Sequence, residues 1–82
     1  MKNEMTLAFD SISENEAFAR VAVAAFVTQL NPTLEEVADI KTAVSEAVTN
    51  AIIHGYPDGI HTVIVRCWTE DQTVQVQVID EG

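Results

Sequence analysis

The sequence predicts an α+β fold, a two-layer sandwich with helices on one face of a mainly antiparallel sheet. Three observations lead there. A short alternating segment opens the chain at Met5–Phe9, hydrophobic spacing near 3.6 residues then runs from Ser13 to His54, and a period of 2 takes over from His61 to Ile79. Elements segregated in this order build one sheet with its helices stacked on one side.

Met5, Leu7 and Phe9 alternate with Thr6 and Ala8, the pattern of a half-buried strand. A helix follows at once. Ser13 and Glu16 have capping-box spacing, in which each side chain accepts a backbone N–H at the helix start. Phe18, Ala22, Phe26 and Leu30 then recur every four residues, with Val21 and Ala25 beside them, and this stripe is expected to face the core. Asn31-Pro32 ends the helix. Thr33 and Glu36 repeat the capping-box spacing, and a second helix is expected from Leu34 to His54, closed by a left-handed Gly55. Pro57-Asp58-Gly59 makes the turn into the sheet half.

Two strands complete the fold. His61 to Trp68 is rich in β-branched and aromatic residues, and in Thr73 to Ile79 the valines 74, 76 and 78 share one face while Gln75 and Gln77 share the other. That alternation fits an antiparallel strand covered on one side, with residues 69–72 as the hairpin.

At 82 residues the chain has room for one domain, spanning 1–82, and 48% hydrophobic residues supply its core. No apolar run approaches the roughly 20 residues of a membrane span, and the opening lacks the apolar stretch of a secretory signal, so a cytoplasmic location and no membrane partner are expected. Cys67 has no second cysteine to pair with; core packing and a reactive role are its two readings, and a lone thiol fits a reducing compartment. Thirteen acidic residues face only Lys2, Arg20, Lys41 and Arg66, a formal charge of −9. Such a surface repels nucleic acid, so no direct nucleic-acid partner is expected; it keeps a small protein soluble or steers a basic protein toward it.

The second helix carries the candidate chemistry. At about 100° per residue, Val37, Ile40, Val44, Val48 and Ala51 gather on one side, while Glu46 and Asn50, one turn apart, project from the other. A solvated polar face explains the pair, and so does the wall of a cleft; Ile53 and Ala43 on the same side favour the cleft. His54 suits the electrostatics of a helix end, or else metal binding or phosphotransfer, and His61 has no constellation around it. Arg20 has Glu16 four residues before it, so it serves a surface ion pair or, as a scarce cation, contacts a protein partner together with Glu16. Asp80-Glu81-Gly82 leaves the last strand as an ordinary turn or as the start of a nucleotide motif. No Gly-x-x-x-x-Gly-Lys loop and no eukaryotic kinase signature is present.

The segment Ser45-Glu46-Ala47-Val48-Thr49-Asn50-Ala51-Ile52-Ile53-His54-Gly55-Tyr56 resembles the N box of the GHKL superfamily, which includes gyrase, Hsp90, histidine kinases and MutL. Its continuation Ala-Ile-Ile-His-Gly-Tyr, together with residues 15–21 and the opening Met1-Lys2-Asn3-Glu4-Met5, is similar to the sporulation branch of the anti-sigma serine kinases of Gram-positive bacteria. Asp80-Glu81-Gly82 resembles the first three positions of the G1 box, Asp-x-Gly-x-Gly.

The resemblance implies that residues 1–82 are the amino-terminal part of a single GHKL, or Bergerat, ATP-binding kinase domain. It implies Glu46 as general base, Asn50 as an oxygen ligand of Mg²⁺, Asp80 as acceptor of the adenine amino group, and Gly82 as the residue that lets backbone approach the base. Glu46 and Asn50 are then expected to face a nucleotide-sized hollow bounded by the strand that delivers Asp80. The implied activity is Mg-ATP-dependent phosphorylation of a serine on an anti-anti-sigma protein by a homodimeric anti-sigma factor that inhibits a sporulation sigma factor. The alternatives are a stress-response kinase of the same kind, or a sigma-binding module without catalysis. In the family the rest of the nucleotide site follows the position of Gly82, so residues 1–82 alone are expected to bind nucleotide poorly.

Overall fold

The computed structural model describes residues 2–54 and 59–80, with His54 placed by its backbone. Its elements are strand β1 (Glu4–Asp10), helix α1 (Glu14–Val27), a 3-10 turn (Thr28–Leu30), helix α2 (Leu34–His54), strand β2 (Thr62–Glu70) and strand β3 (Thr73–Asp80). The three strands form one antiparallel sheet in the order β1-β2-β3, with Leu7 opposite Val65 and Val65 opposite Val78. Both helices lie on one face of it, as the periodicities predict.

The sheet is closed at both ends by its own polar groups. At one end Asn3 donates its N–H to Thr69 Oγ1 at 3.0 Å, and Thr69 returns its N–H to the Asn3 carbonyl at 2.9 Å. At the other, the Ser11 N–H reaches the His61 carbonyl at 2.8 Å, and the His61 N–H reaches Ser11 Oγ at 2.9 Å. Both hydroxyl residues are buried, so these bonds satisfy backbone groups cut off from water. The hairpin is a two-residue turn with Asp71 and Gln72 both at positive φ, 49° and 69°. This left-handed pair matches the twist of the flanking strands.

Ala19, Val23 and Val27 of α1, Val44 and Val48 of α2, and Val65 and Cys67 of β2 make the main core. A second cluster, Ala51 with Val63, joins it through Phe9 and Val78, which pack against both. Cys67 is fully buried, which settles its role as core packing, and burial pushes its thiol pKa up.

Three expectations are corrected. The buried stripe of α1 is Ala19-Val23-Val27 instead of Phe18-Ala22-Phe26-Leu30. Phe18 is 53% exposed and meets the Phe9 ring in a T-shaped contact at 6.5 Å and 90°; Val21 is exposed, and Ala22 and Phe26 are half-buried. The core takes the smaller residues of α1, and the phenyl rings sit at its margin.

The Ser13–Glu16 capping box does not form. Ser13 is itself helical in φ and ψ, and its hydroxyl donates to Glu14 Oε1 at 2.9 Å. The Asn15 and Glu16 N–H groups go instead to the carbonyls of Ile12 and Ser13, and Asn15 Nδ2 ties the turn to the Asp10 carbonyl at 2.9 Å. Finally, α1 stops at Val27, and the turn to Asn31 tightens into 3-10 geometry, with Asn31 left-handed at φ 51°.

The second capping box is present in full. The Thr33 N–H reaches Glu36 Oε1 at 2.8 Å, and the Glu36 N–H reaches Thr33 Oγ1 at 3.1 Å. Helix α2 keeps the predicted bounds, with Val44, Val48 and Ala51 buried and Val37 and Ile40 half-buried. The expected left-handed Gly55 and the Pro57-Asp58 part of the turn lie outside the described residues.

Candidate functional site

Glu46 and Asn50 follow from the same projection that buries Val44, Val48 and Ala51. With three valine and alanine anchors turned to the sheet, residues 46 and 50 must point outward, and both are exposed. Among the described residues neither has a hydrogen-bond or ion-pair partner. An unpaired carboxylate and an unpaired amide, one turn apart, are free to take up a ligand. Ala43 and Ile53 flank them, and Ile53 is 62% exposed, so this face offers apolar surface beside its polar groups.

Asp80 is brought to the same end of the molecule by the sheet register. It stands opposite Val63 in the β2–β3 ladder, and Val63 packs against Ala51, the residue after Asn50. Asp80 is exposed, while Gly82 lies outside the described residues.

Among the described residues, two of the hollows that border α2 flank the Glu16–Arg20 pair of α1. One, of about 340 Å³, is lined by Arg20, Lys41, Thr42, Ser45 and Glu46. The other, of about 150 Å³, is lined by Ser13, Glu16, Thr49, Ile52 and Ile53. Glu16 Oε2 and Arg20 Nε meet at 3.7 Å, so this ion pair forms a wall between the hollows. The pair is loose: Glu16 Oε2 is buried yet accepts no hydrogen bond.

Among the described residues, Glu46 opens toward Arg20 and Lys41, and neither Asn50 nor Asp80 lines that space. Lys41, Thr42 and Ser45 were missed by reasoning from the sequence. The signal for Lys41 was present, since it is one of four cations, but its convergence with Arg20 depends on how the two helices cross.

The residue types fit a magnesium nucleotide. Mg²⁺ takes oxygen ligands, usually one or two from protein with phosphates and water completing the shell, and Asn50 presents one exposed amide oxygen. Among the described residues no group of three His, Cys, Asp or Glu side chains forms an all-protein metal site, and no helix is long and apolar enough to cross a membrane.

Comparison with known proteins gives the family. Residues 11–82 match the family model described as a histidine kinase-like ATPase domain. The chain is 60% identical over 83 residues to an anti-sigma F factor of Oceanobacillus iheyensis, covering 100% of this chain and 57% of that protein. It is 58% identical over 80 residues to the anti-sigma F factor of Caldanaerobacter subterraneus subsp. tengcongensis, covering 98% of this chain and 56% of that one. The anti-sigma F factor of Bacillus licheniformis is 55% identical over 83 residues. The chain thus spans a little over half the length of the curated relatives it matches. Its two helices over a three-stranded antiparallel sheet are part of the GHKL ATPase architecture, and the chain belongs to the histidine kinase-like ATPase domain family.

Proposed function

We propose that this chain is the amino-terminal part of an anti-sigma factor that phosphorylates a serine of an anti-anti-sigma protein with Mg-ATP, and that binds and inhibits a sporulation sigma factor. The observation that carries the reading is the unpaired Glu46–Asn50 couple on α2, with Asp80 delivered to the same end of the sheet as Asn50. Similarity to anti-sigma F factors over the whole chain supports the partner class.

Bound ATP supplies the phosphoryl group, and its Mg²⁺ neutralises charge that develops on it. The chain's own residues position and deprotonate. The Glu46 carboxylate accepts the proton of the serine hydroxyl, which requires that hydroxyl within hydrogen-bond reach. Asn50 supplies its amide oxygen to Mg²⁺, Asp80 accepts a hydrogen bond from the adenine amino group, and Gly82 allows backbone close to the base. Glu16 and Arg20 contact a protein partner from α1. The assembly is a homodimer in the cytoplasm.

The test separates catalysis from capture in the full-length protein. Glu46→Ala is expected to abolish phosphorylation of the anti-anti-sigma partner while sigma-factor binding stays within about twofold. Phosphorylation surviving the change removes Glu46 as base; loss of both activities removes the separation of roles. A second reading, a sigma-binding module without catalysis, is favoured by the exposure of Arg20 beside its loose ion pair. It predicts no nucleotide-dependent phosphorylation by the wild type at all.

A further inference from the structure

The first turns of α1 are held differently from the rest of that helix. Its buried anchors begin at Ala19, and none of residues 14–18 is buried. Here α1 meets α2 across hollows: Glu16 shares one with Thr49, Ile52 and Ile53, and Arg20 shares the other with Glu46. Close packing of helix on helix fixes an angle only where side chains fill the space between, so the direction of these turns is left to contacts made elsewhere.

Phe9 supplies such a contact. Its ring meets the Phe18 ring at 6.5 Å and 90°, a T-shaped geometry that aromatic pairs prefer. Phe18 stands between Glu16 and Arg20 in the chain and is 53% exposed, so the core does not fix it from the other side. Phe9 is itself well held. It pairs with Val63 across the β1–β2 ladder and packs against the Ala51–Val63 cluster. Just beyond it the two Ser11–His61 bonds, at 2.8 and 2.9 Å, fasten the strand end, and Asn15 Nδ2 ties α1 to the Asp10 carbonyl at 2.9 Å. One ring thus links the cluster beside Asn50 to the turn of α1 that carries Glu16 and Arg20.

We propose that Phe9, acting through Phe18, is a positioning residue for serine phosphorylation: the ring contact sets the angle of the first turns of α1 against α2, and with it the place of a protein held by α1 relative to Glu46. This inference rests on the reading of Glu46 as base and of α1 as a partner contact. A protein held by Glu16 and Arg20 moves with α1, whereas the base and the magnesium ligand move with α2. A misplacement of about 1 Å at a reacting centre costs as much as about a hundredfold in rate, so a small rotation of these turns is enough. Neither ring touches the reacting atoms.

The test uses the full-length protein and an anti-anti-sigma protein as phosphate acceptor. Phe18→Leu, a change at an exposed position that leaves the fold in place, is expected to lower kcat for serine phosphorylation by roughly ten- to a hundredfold while the acceptor Kd and the nucleotide Kd each stay within about twofold. Phe18→Tyr keeps the ring and points its hydroxyl to solvent, so it should retain most of kcat. Phe9→Leu should lose kcat to a similar degree, and the double variant should lose no more than the worse single one, because either change removes the same contact. An unchanged kcat in Phe18→Leu, or losses that multiply in the double variant, overturns the proposal. So does a weakened acceptor Kd with kcat intact at saturation, which makes Phe18 a binding contact instead. Failure of the kinase reading shows elsewhere: wild type transfers no phosphate to the serine, or Glu46→Ala still transfers it.

Discussion

Asp80 pairs with Val63 across the β2–β3 ladder, and Val63, fully buried, packs on Ala51 beside Asn50. One apolar side chain thereby ties the strand end that carries Asp80 to the helix turn that carries Asn50. Val63→Ala removes two methyl groups from this contact and is expected to lower stability by about 2 kcal/mol. Chemical denaturation measures that loss. Nucleotide affinity of the full-length protein should fall with it, whereas an equally destabilising change at Val23, away from this contact, should spare affinity.

Glu46 and Asn50 are exposed and have no partner among the described residues, so their replacement should be nearly silent for folding. Glu46→Gln and Asn50→Ala are each expected to stay within about 0.5 kcal/mol of wild type in denaturant unfolding. Loss of serine phosphorylation should nonetheless exceed about 100-fold for Glu46→Gln, the lower range for a general base. Asn50→Ala should shift the magnesium concentration needed for nucleotide binding upward. A large stability change for either would mean that the residue supports the fold.

The Thr33–Glu36 capping box should be visible in both thermal and acid unfolding. Thr33→Ala leaves a helix-start N–H without its acceptor and is expected to cost about 1 kcal/mol. The Thr33 backbone N–H, and then its hydroxyl, hold the Glu36 carboxyl below its ordinary pKa. A depressed folded-state pKa contributes stability above the unfolded pKa, near 4.3, and that contribution is lost as pH falls through the folded value. Glu36→Gln should therefore flatten the acid limb of the stability profile while changing the neutral region little.

Cys67 predicts the opposite limb. Burial raises its thiol pKa, so the folded state keeps its proton where the unfolded chain has begun to lose it. The associated stability is complete below the unfolded pKa, about 8.5, and declines as pH rises above it. Cys67→Ala should remove that alkaline slope at the cost of a small cavity. Alkylation of the native protein should be slow and should accelerate with denaturant, because reagent reaches the sulfur only when the sheet opens.

The order of elements was legible because each has a local cause. Thr33 and Glu36 mark the start of α2 by their own bonds, and the alternation of Val74, Gln75, Val76, Gln77 and Val78 can be read only as a strand. The outward direction of Glu46 and Asn50 was legible for the same reason, since three buried anchors on one helix leave little choice. Val76 shows the limit of that reading. It shares the inner face with Val74 and Val78 yet is 37% exposed, because β3 is an edge strand and the helices cover it incompletely.

What the sequence by itself determined is therefore the order and type of the two helices and three strands, the bounds and core face of α2, and the local resemblance around residues 45–56. The tertiary structure alone decided the rotation of α1 and the partners of its side chains. Phe18, Ala19, Val21, Ala22, Val23, Ala25, Phe26 and Val27 surround the helix so fully that periodicity has no unique stripe to select. Packing against α2 and the sheet selected it, placing Ala19, Val23 and Val27 in the core and the phenyl rings at its margin. That same rotation brings Arg20 to the hollow that Lys41 and Glu46 also line. Residues on two helices meet only where packing fixes how the helices cross, and no spacing along one chain encodes that angle.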